Sequence, residues 1–240
     1  MATPRSTRNP LFLGRWFDDE IVLLCVRWYV SYKLSYRDLV EMMADRGLPI
    51  SHTTIMRWVV RYAEEFEKKW RAYKKPVGGS WRVDELFVKV KKQWKYLYRA
   101  VDQQGRTVHF FFSATRGVPA AKAFFRKAVR NNGDPHSITL DGHEPSHRAV
   151  ARLQMCGDLP RFGLRVRCSQ YLNNIVEQDH RRIRQRLRPM LQFQRFHHAR
   201  RVVAGIELAA QIRKDQYDFN SVTAVPPRTN AEKWALVIAA

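Results

Sequence analysis

From Phe17 to Tyr32 apolar positions are dense, and no Gly or Pro interrupts them, which predicts a mostly buried helix. Ser35-Tyr36-Arg37-Asp38 is a Ser-x-x-Asp capping box, and Leu39, Met42 and Met43 follow it at helical spacing. Gly47 ends that helix, with Pro49 just beyond. Ser51 caps another, from His52 to about Lys69, which sets Ile55, Trp58, Val59 and Tyr62 on one face. A helix, a short Gly-containing turn and a capped helix make a helix-turn-helix pattern. The first dozen residues contain Pro4 and Pro10 and read as a loose arm.

The period changes after Lys74-Lys75-Pro76-Val77-Gly78-Gly79-Ser80, where three breakers separate periodic segments. Trp81 to Val90, Trp94 to Val101 and Val108 to Phe112 alternate as strands, with Asp102-Gln103-Gln104-Gly105 as a turn. Ala120 to Val129 reads as a helix and Ser137 to Leu140 as a short buried strand ending at Asp141. Ser146 to Leu153 is helical and Leu164 to Cys168 a strand. A long helix from Asn173 to Leu187 stops before Pro189, and another spans about His197 to Arg213. The order β-β-β-α-β-α-β-α is that of a ribonuclease-H-like α/β domain. The expected fold is therefore a mixed five-stranded sheet with flanking helices, preceded by an all-α helix-turn-helix domain. The expected division is 1–75, 76–200 and a C-terminal helix and tail over 201–240.

Charge narrows the choice of partner. The chain carries 43 Lys+Arg against 22 Asp+Glu, a net +21, with 45% hydrophobic residues. A basic protein with that much core material is not a disordered tail, and it calls for a polyanion such as nucleic acid. The excess peaks over residues 161–201, with 11 basic and 2 acidic side chains, while the last 39 residues balance at 4 and 4. No apolar run approaches the roughly 18 residues of a membrane span. No charged-then-apolar leader opens the sequence, so secretion is not expected. Three cysteines, Cys25, Cys156 and Cys168, form no paired framework and suit a reducing cytoplasm.

Three carboxylates fall where this architecture places a metal site. Asp84 is mid-strand, Asp141 follows the C-terminal end of the fourth strand, and Glu177 lies in the first turn of the long helix. The first and fourth strands are neighbours in this topology, and the helix packs across them. Three hard oxygen ligands in that arrangement suit two Mg²⁺ or Mn²⁺ ions about 4 Å apart, the geometry that clamps both oxygens of an in-line phosphoryl displacement. Glu85 and Asp102 are expected to point away or into a turn, and Asp179 to face elsewhere on the helix. The exposed early positions of the second helix of the helix-turn-helix, His52, Thr53, Thr54 and Arg57, are placed to reach bases, and Arg61 to reach phosphate. Arg181, Arg182 and Arg188 belong to a run of five arginines behind Glu177, where a DNA backbone would lie. His143 and His147, with Cys156 and Cys168, superficially suggest zinc, but the spacing matches no familiar finger. No Gly-rich phosphate loop appears, so no nucleotide cofactor is expected.

The chain resembles the DDE transposases of the IS6 group of bacterial insertion sequences. The resemblance rests on Leu34-Ser35-Tyr36-Arg37-Asp38-Leu39, Thr53-Thr54-Ile55-Met56-Arg57-Trp58-Val59, Trp81-Arg82-Val83-Asp84-Glu85 and Tyr96-Leu97-Tyr98-Arg99-Ala100-Val101-Asp102. It continues through Asn173-Asn174-Ile175-Val176-Glu177-Gln178-Asp179-His180, Arg188-Pro189-Met190 and Ala204-Gly205-Ile206-Glu207. It covers roughly residues 14 to 216. It implies Asp84, Asp141 and Glu177 as the catalytic triad and Arg184, seven residues after Glu177, as the accompanying basic residue. Two departures are Gly142-His143 after Asp141, where many relatives have Lys, and His147 in place of a common Tyr.

What the resemblance implies is a transposase that binds terminal inverted repeats and target DNA. It would cleave and join strands with two divalent ions, act as a homo-oligomer in the bacterial cytoplasm at the nucleoid, and join donor to target replicatively. The rival functions are a DNA-binding regulator with a catalytically silent ribonuclease-H-like domain, and a nuclease that cuts without joining.

Overall fold

The computed structural model describes residues 9–12, 16–142, 144–168, 174–190, 193–219 and 222–239. It divides into two compact units, the first formed by residues 1–74 with 204–240 and the second by residues 75–203.

The first unit is helical. Helices α1 (Asp19–Ser31), α2 (Tyr36–Ala44) and α3 (His52–Trp70) bury Val22, Val26, Leu39, Met43, Ile55, Trp58, Tyr62 and Phe66 against one another. Sequence chemistry sets their ends. The Asp38 amide donates to Ser35 Oγ at 3.1 Å, and the Ser35 amide to Asp38 Oδ2 at 2.7 Å, closing the capping box. Gly47 takes φ +72 in the turn between α2 and α3, a left-handed conformation that favours glycine. The N-terminal arm departs from its expected looseness at Phe12, which is fully buried 4.9 Å from the Tyr62 ring. An aromatic cluster of Phe12, Tyr62 and Phe66 gives that segment enough apolar surface to bind.

The C-terminal segment also belongs to this unit. Residues 204–213 of helix α7 (Phe196–Arg213) pass so near α3 that a Cβ on Gly205 would stand 2.7 Å from Ala63 Cβ. A further helix, α8 (Asn230–Ala239), was not anticipated from the sequence. Its start carries a readable signal: Thr229 Oγ1 accepts from the Glu232 amide at 3.2 Å, while Glu232 Oε2 accepts from the Thr229 amide at 3.4 Å. Trp234 of α8 lies edge-on to Phe66 at 6.4 Å.

The second unit is α/β. Its strands β1 (Ser80–Val90), β2 (Gln93–Val101), β3 (Thr107–Ser113), β4 (Ser137–Leu140) and β5 (Arg165–Cys168) form a mixed sheet in the order β3-β2-β1-β4-β5. The meander β1-β2-β3 is antiparallel, and β4 and β5 run parallel to β1. This is the expected ribonuclease-H-like sheet. Trp81, Val83, Tyr98 and Ala100 on one face pack with Phe124 and Phe125 of α4 (Val118–Asn132) and Val150 and Leu153 of α5 (Glu144–Cys156). Helix α6 (Asn174–Leu187) contacts β1 and β2. The edge strand β5 is exposed along its length and carries Arg165 and Arg167, charges that discourage pairing with a further strand.

Candidate active site

Strand alternation decides which way Asp84 points. Trp81, Val83 and Glu85 occupy the α4–α5 face of β1, so Asp84 occupies the other. The parallel pairing of β1 with β4 ends at Val83 opposite Leu140. One residue further along both strands stand Asp84 and Asp141. Asp141 is half-buried, and its carbonyl oxygen lies 2.9 Å from Nε2 of His147, in the first half of α5. That contact requires the tautomer with its proton on Nε2.

Helix α6 supplies the other wall. Val176, Asp179, His180, Ile183 and Arg186 are its buried stripe, while Glu177, Gln178, Arg181, Arg182, Arg184 and Gln185 face outward, as does Arg188 just after its end. A cleft of about 700 Å³ is lined by Asp84, Glu177, Arg181, Arg184 and Arg188, together with Gln178, His180 and Gln185. Within it His180 Nδ1 lies 3.1 Å from Asp84 Oδ2, and the Glu85 amide donates to Asp84 Oδ1 at 2.7 Å. Burial pushes the Asp84 carboxyl up, but the hydrogen bond and attraction of His180, the Glu85 amide and the Arg184 charge together hold it below its usual range. Asp84 is thus kept as an anion in a cleft that arginines line.

A family model described as a DDE domain matches residues 78–216, from just before β1 to just past α7. The chain belongs to the DDE transposase family, in its IS6 group. Among similar proteins of Staphylococcus aureus is the transposase for insertion sequence-like element IS431mec, 33% identical over 199 residues, which cover 82% of this chain and 85% of that one. Another is the transposase for insertion sequence element IS257 in transposon Tn4003, with the same identity and coverage. A chain of the simian T-cell lymphotropic virus intasome in complex with PP2A regulatory subunit B56 gamma is 16% identical at a TM-score of 0.36, covering 68% of this chain and 49% of that one.

Within this DDE transposase fold the anticipated residues are distributed as follows. Asp84, Glu177, Arg184, Arg181 and Arg188 share the cleft, Asp141 stands just past the end of β4, next to the β1 strand that carries Asp84, and Arg182 is exposed on α6. His52, Thr53, Arg57 and Arg61 are exposed near the start of α3, and Thr54 is half-buried, its hydroxyl 2.9 Å from Ser51 Oγ. Of the five arginines expected to form a basic face, Arg186 is buried at 5% exposure, because it falls on the core-facing stripe of α6. Glu85 and Asp102 lie off the site as anticipated. Arg116 donates to Glu85 at 2.7 Å, and Asp102 accepts from the Gly78, Gln104 and Arg106 amides.

His180, Arg99 and Asp179 were not singled out from the sequence as site residues. Arg99, fully buried, donates to Asp179 at 2.6 Å and is the cross-strand partner of Asp84. The signal available was three polar residues, Asp179, His180 and Arg186, at core positions of an otherwise amphipathic helix. Of the superficial zinc set, His143 is outside the described residues, His147 is engaged with Asp141, and Cys156 and Cys168 are exposed free thiols.

The donor chemistry fits a hard divalent cation: Asp84 and Glu177 are carboxylates opening on one cleft, with Asp141 just past the end of the adjoining strand β4. Among the described residues no three His, Cys, Asp or Glu side chains already converge as a complete ligand set.

Proposed function

We propose that this chain is a transposase that binds the terminal inverted repeats of an insertion sequence and catalyses DNA cleavage and strand transfer. The observation that carries this reading is the cleft in which the depressed carboxylate of Asp84 and the carboxylate of Glu177 stand among Arg181, Arg184 and Arg188. A cleft with both carboxylates and cations suits a phosphodiester approached by metal ions. Family membership and similarity to proteins named as transposases support it further.

Asp84, Asp141 and Glu177 would hold two Mg²⁺ or Mn²⁺ ions. When bound, these would activate the attacking oxygen and neutralise charge on the leaving oxygen. Arg184, with Arg181, Arg182 and Arg188, would hold the DNA backbone by charge-assisted hydrogen bonds to phosphate. In the first step water attacks a phosphorus at the element's end, the P–O3′ bond breaks, and a 3′-OH is released. In the second step that hydroxyl attacks a target phosphorus, a new P–O bond forms, and the target's 3′ oxygen leaves. No protein side chain becomes covalently attached to DNA in either step. The helix-turn-helix formed by α2 and α3 would read the ends, with His52, Thr53, Thr54 and Arg57 toward base edges and Arg61 toward phosphate. We assign the reaction to a homo-oligomer acting in the bacterial cytoplasm at the nucleoid. Among the described residues no helix is long and apolar enough to cross a membrane.

The test combines purified protein, end-bearing DNA and target DNA with Mg²⁺ or Mn²⁺. Joined products that disappear in Asp84→Ala and Glu177→Ala support the proposal. Cleavage without joining would assign a nuclease, and end binding with neither reaction would assign a regulator. Full joining by either alanine variant would sink the mechanism.

A further inference from the structure

The β1–β2 hairpin turns in two residues, Lys91 and Lys92, since its register closes at Val90 opposite Gln93. Both lysines have positive φ, +47 and +64, the signature of a type I′ turn. Asn-Gly adopts that turn with least strain, and lysine is a poor occupant of the left-handed region. The tip is nonetheless held in place: the Lys91 amide donates to the Phe193 carbonyl at 2.7 Å, and Val90 bridges to Phe193.

The side chains around this turn form a cationic and aromatic surface. Lys89, Lys91 and Lys92 are exposed, and Phe87 and Trp94 are 44% and 54% exposed. Lys89 Nζ lies 5.5 Å from the centre of the Trp94 ring, and the Arg116 guanidinium 5.2 Å from that of Phe87. No acidic residue occurs anywhere from Leu86 to Val101. Exposed apolar rings beside lysines, at a strained turn, mark a binding surface.

We propose that the tip of the β1–β2 hairpin is a second, sequence-independent contact surface for duplex DNA, with its lysines on backbone phosphates. Three exposed lysines with no acidic side chain between Leu86 and Val101 point to a polyanion. Seven residues along β1 separate Asp84 from Lys91, roughly 24 Å of strand. Neither Lys91 nor Lys92 lines the cleft, so this contact lies outside it. The inference rests on the DNA-joining reading for its partner.

Its test replaces Lys91-Lys92 by Asn-Gly in the full-length protein (Lys91→Asn with Lys92→Gly). This variant removes two charges while giving the turn its preferred residues. Binding to a 40-base-pair duplex of arbitrary sequence is followed by fluorescence anisotropy across a salt series, alongside thermal unfolding. The expected result is a raised unfolding midpoint and affinity lowered on the order of tenfold or more at 0.1 M salt. The slope of log affinity against log salt should shrink by about 1.8, for two phosphates. A Lys91→Arg with Lys92→Arg variant should keep the wild-type slope. Wild-type affinity and slope in the Asn-Gly variant would overturn the proposal. A change confined to sedimenting mass would also overturn it, and would assign the tip to protein contacts instead. A wild-type chain that joins ends while the tip variant loses nothing refutes only this surface; failure of the wild-type chain to bind DNA at all removes the transposase reading with it.

Discussion

Asp84 and Arg99 face one another across β1 and β2, and consecutive residues of one helix meet them both. His180 approaches Asp84 at 3.1 Å, while Asp179 accepts from Arg99 at 2.6 Å. Helix α6 is thereby locked in register on the sheet by polar contacts, and Glu177, one turn earlier, is carried to the cleft shared with Asp84. The pair of contacts also fixes the rotation of α6, because Asp179 and His180 must both point into the sheet.

Removing the imidazole should loosen Asp84 more than it loosens the fold. With Asp84 in the metal-ligating role proposed for it, His180→Ala is expected to lower strand joining about 10- to 100-fold through loss of an orienting partner. His180→Asn places an amide nitrogen near the position of Nδ1 and should recover most of that loss. His180→Gln, whose donor sits further out, should not. Joining rates set beside urea unfolding of each variant separate the two effects, and equal rates for alanine, asparagine and glutamine would remove the positioning role.

The Arg99–Asp179 pair should behave as a buried ion pair. Asp179→Ala leaves a fully buried guanidinium without its carboxylate and is expected to cost about 3–5 kcal/mol. Arg99→Met combined with Asp179→Leu should cost clearly less than the sum of the single changes. A double-mutant cycle by urea unfolding measures this, and additive costs would show that the two side chains are not coupled.

Gly205 should resist even a methyl group. Alanine is ordinarily the better helix former by about 1 kcal/mol, but here its Cβ would sit 2.7 Å from Ala63 Cβ and 3.0 Å from Val30 Cγ1. Overpacking of this kind costs about 1–3 kcal/mol, so Gly205→Ala should lower the unfolding midpoint. Ala63→Gly in the same chain should restore part of the loss. A midpoint that rises in the single variant would contradict the close approach.

The three thiols should separate by burial. Burial pushes the Cys25 thiol up to about 12, whereas Cys156 and Cys168 are exposed. At pH 8 only about one Cys25 in ten thousand would be thiolate, and that species is the nucleophile. A disulfide reagent should label two thiols rapidly in the native protein and the third only on unfolding; three fast thiols would show that the α1 packing is open.

Much of the fold is legible along the chain because its signals are local. The capping boxes, the glycine after α2, the change of period near residue 76 and the breakers between later segments each act through neighbouring residues. They place the elements to within a few positions and, through the order of strands and helices, the sheet itself. Helix α8 escaped only because its Thr229–Glu232 cap lies beyond a stretch of weak periodicity. The positions of Asp84, Asp141 and Glu177 were equally legible, since each sits at a characteristic place on an element.

The sequence by itself therefore determined every strand and α-helix but α8, that the sheet is mixed, that the chain is strongly basic, and where on their elements Asp84, Asp141 and Glu177 sit. Only the tertiary structure decided that His180 meets Asp84, that Arg99 and Asp179 are paired inside the protein, and that Arg186 lies in the core while its neighbours face solvent. It alone seated residues 204–239 with the N-terminal helices and set two lysines at the tip of the hairpin. The physical reason is range. Caps, turns and periodicity are enforced within about one helical turn or across one strand pair. An ion pair between residues 80 positions apart exists only after the sheet register and the rotation of α6 are fixed together.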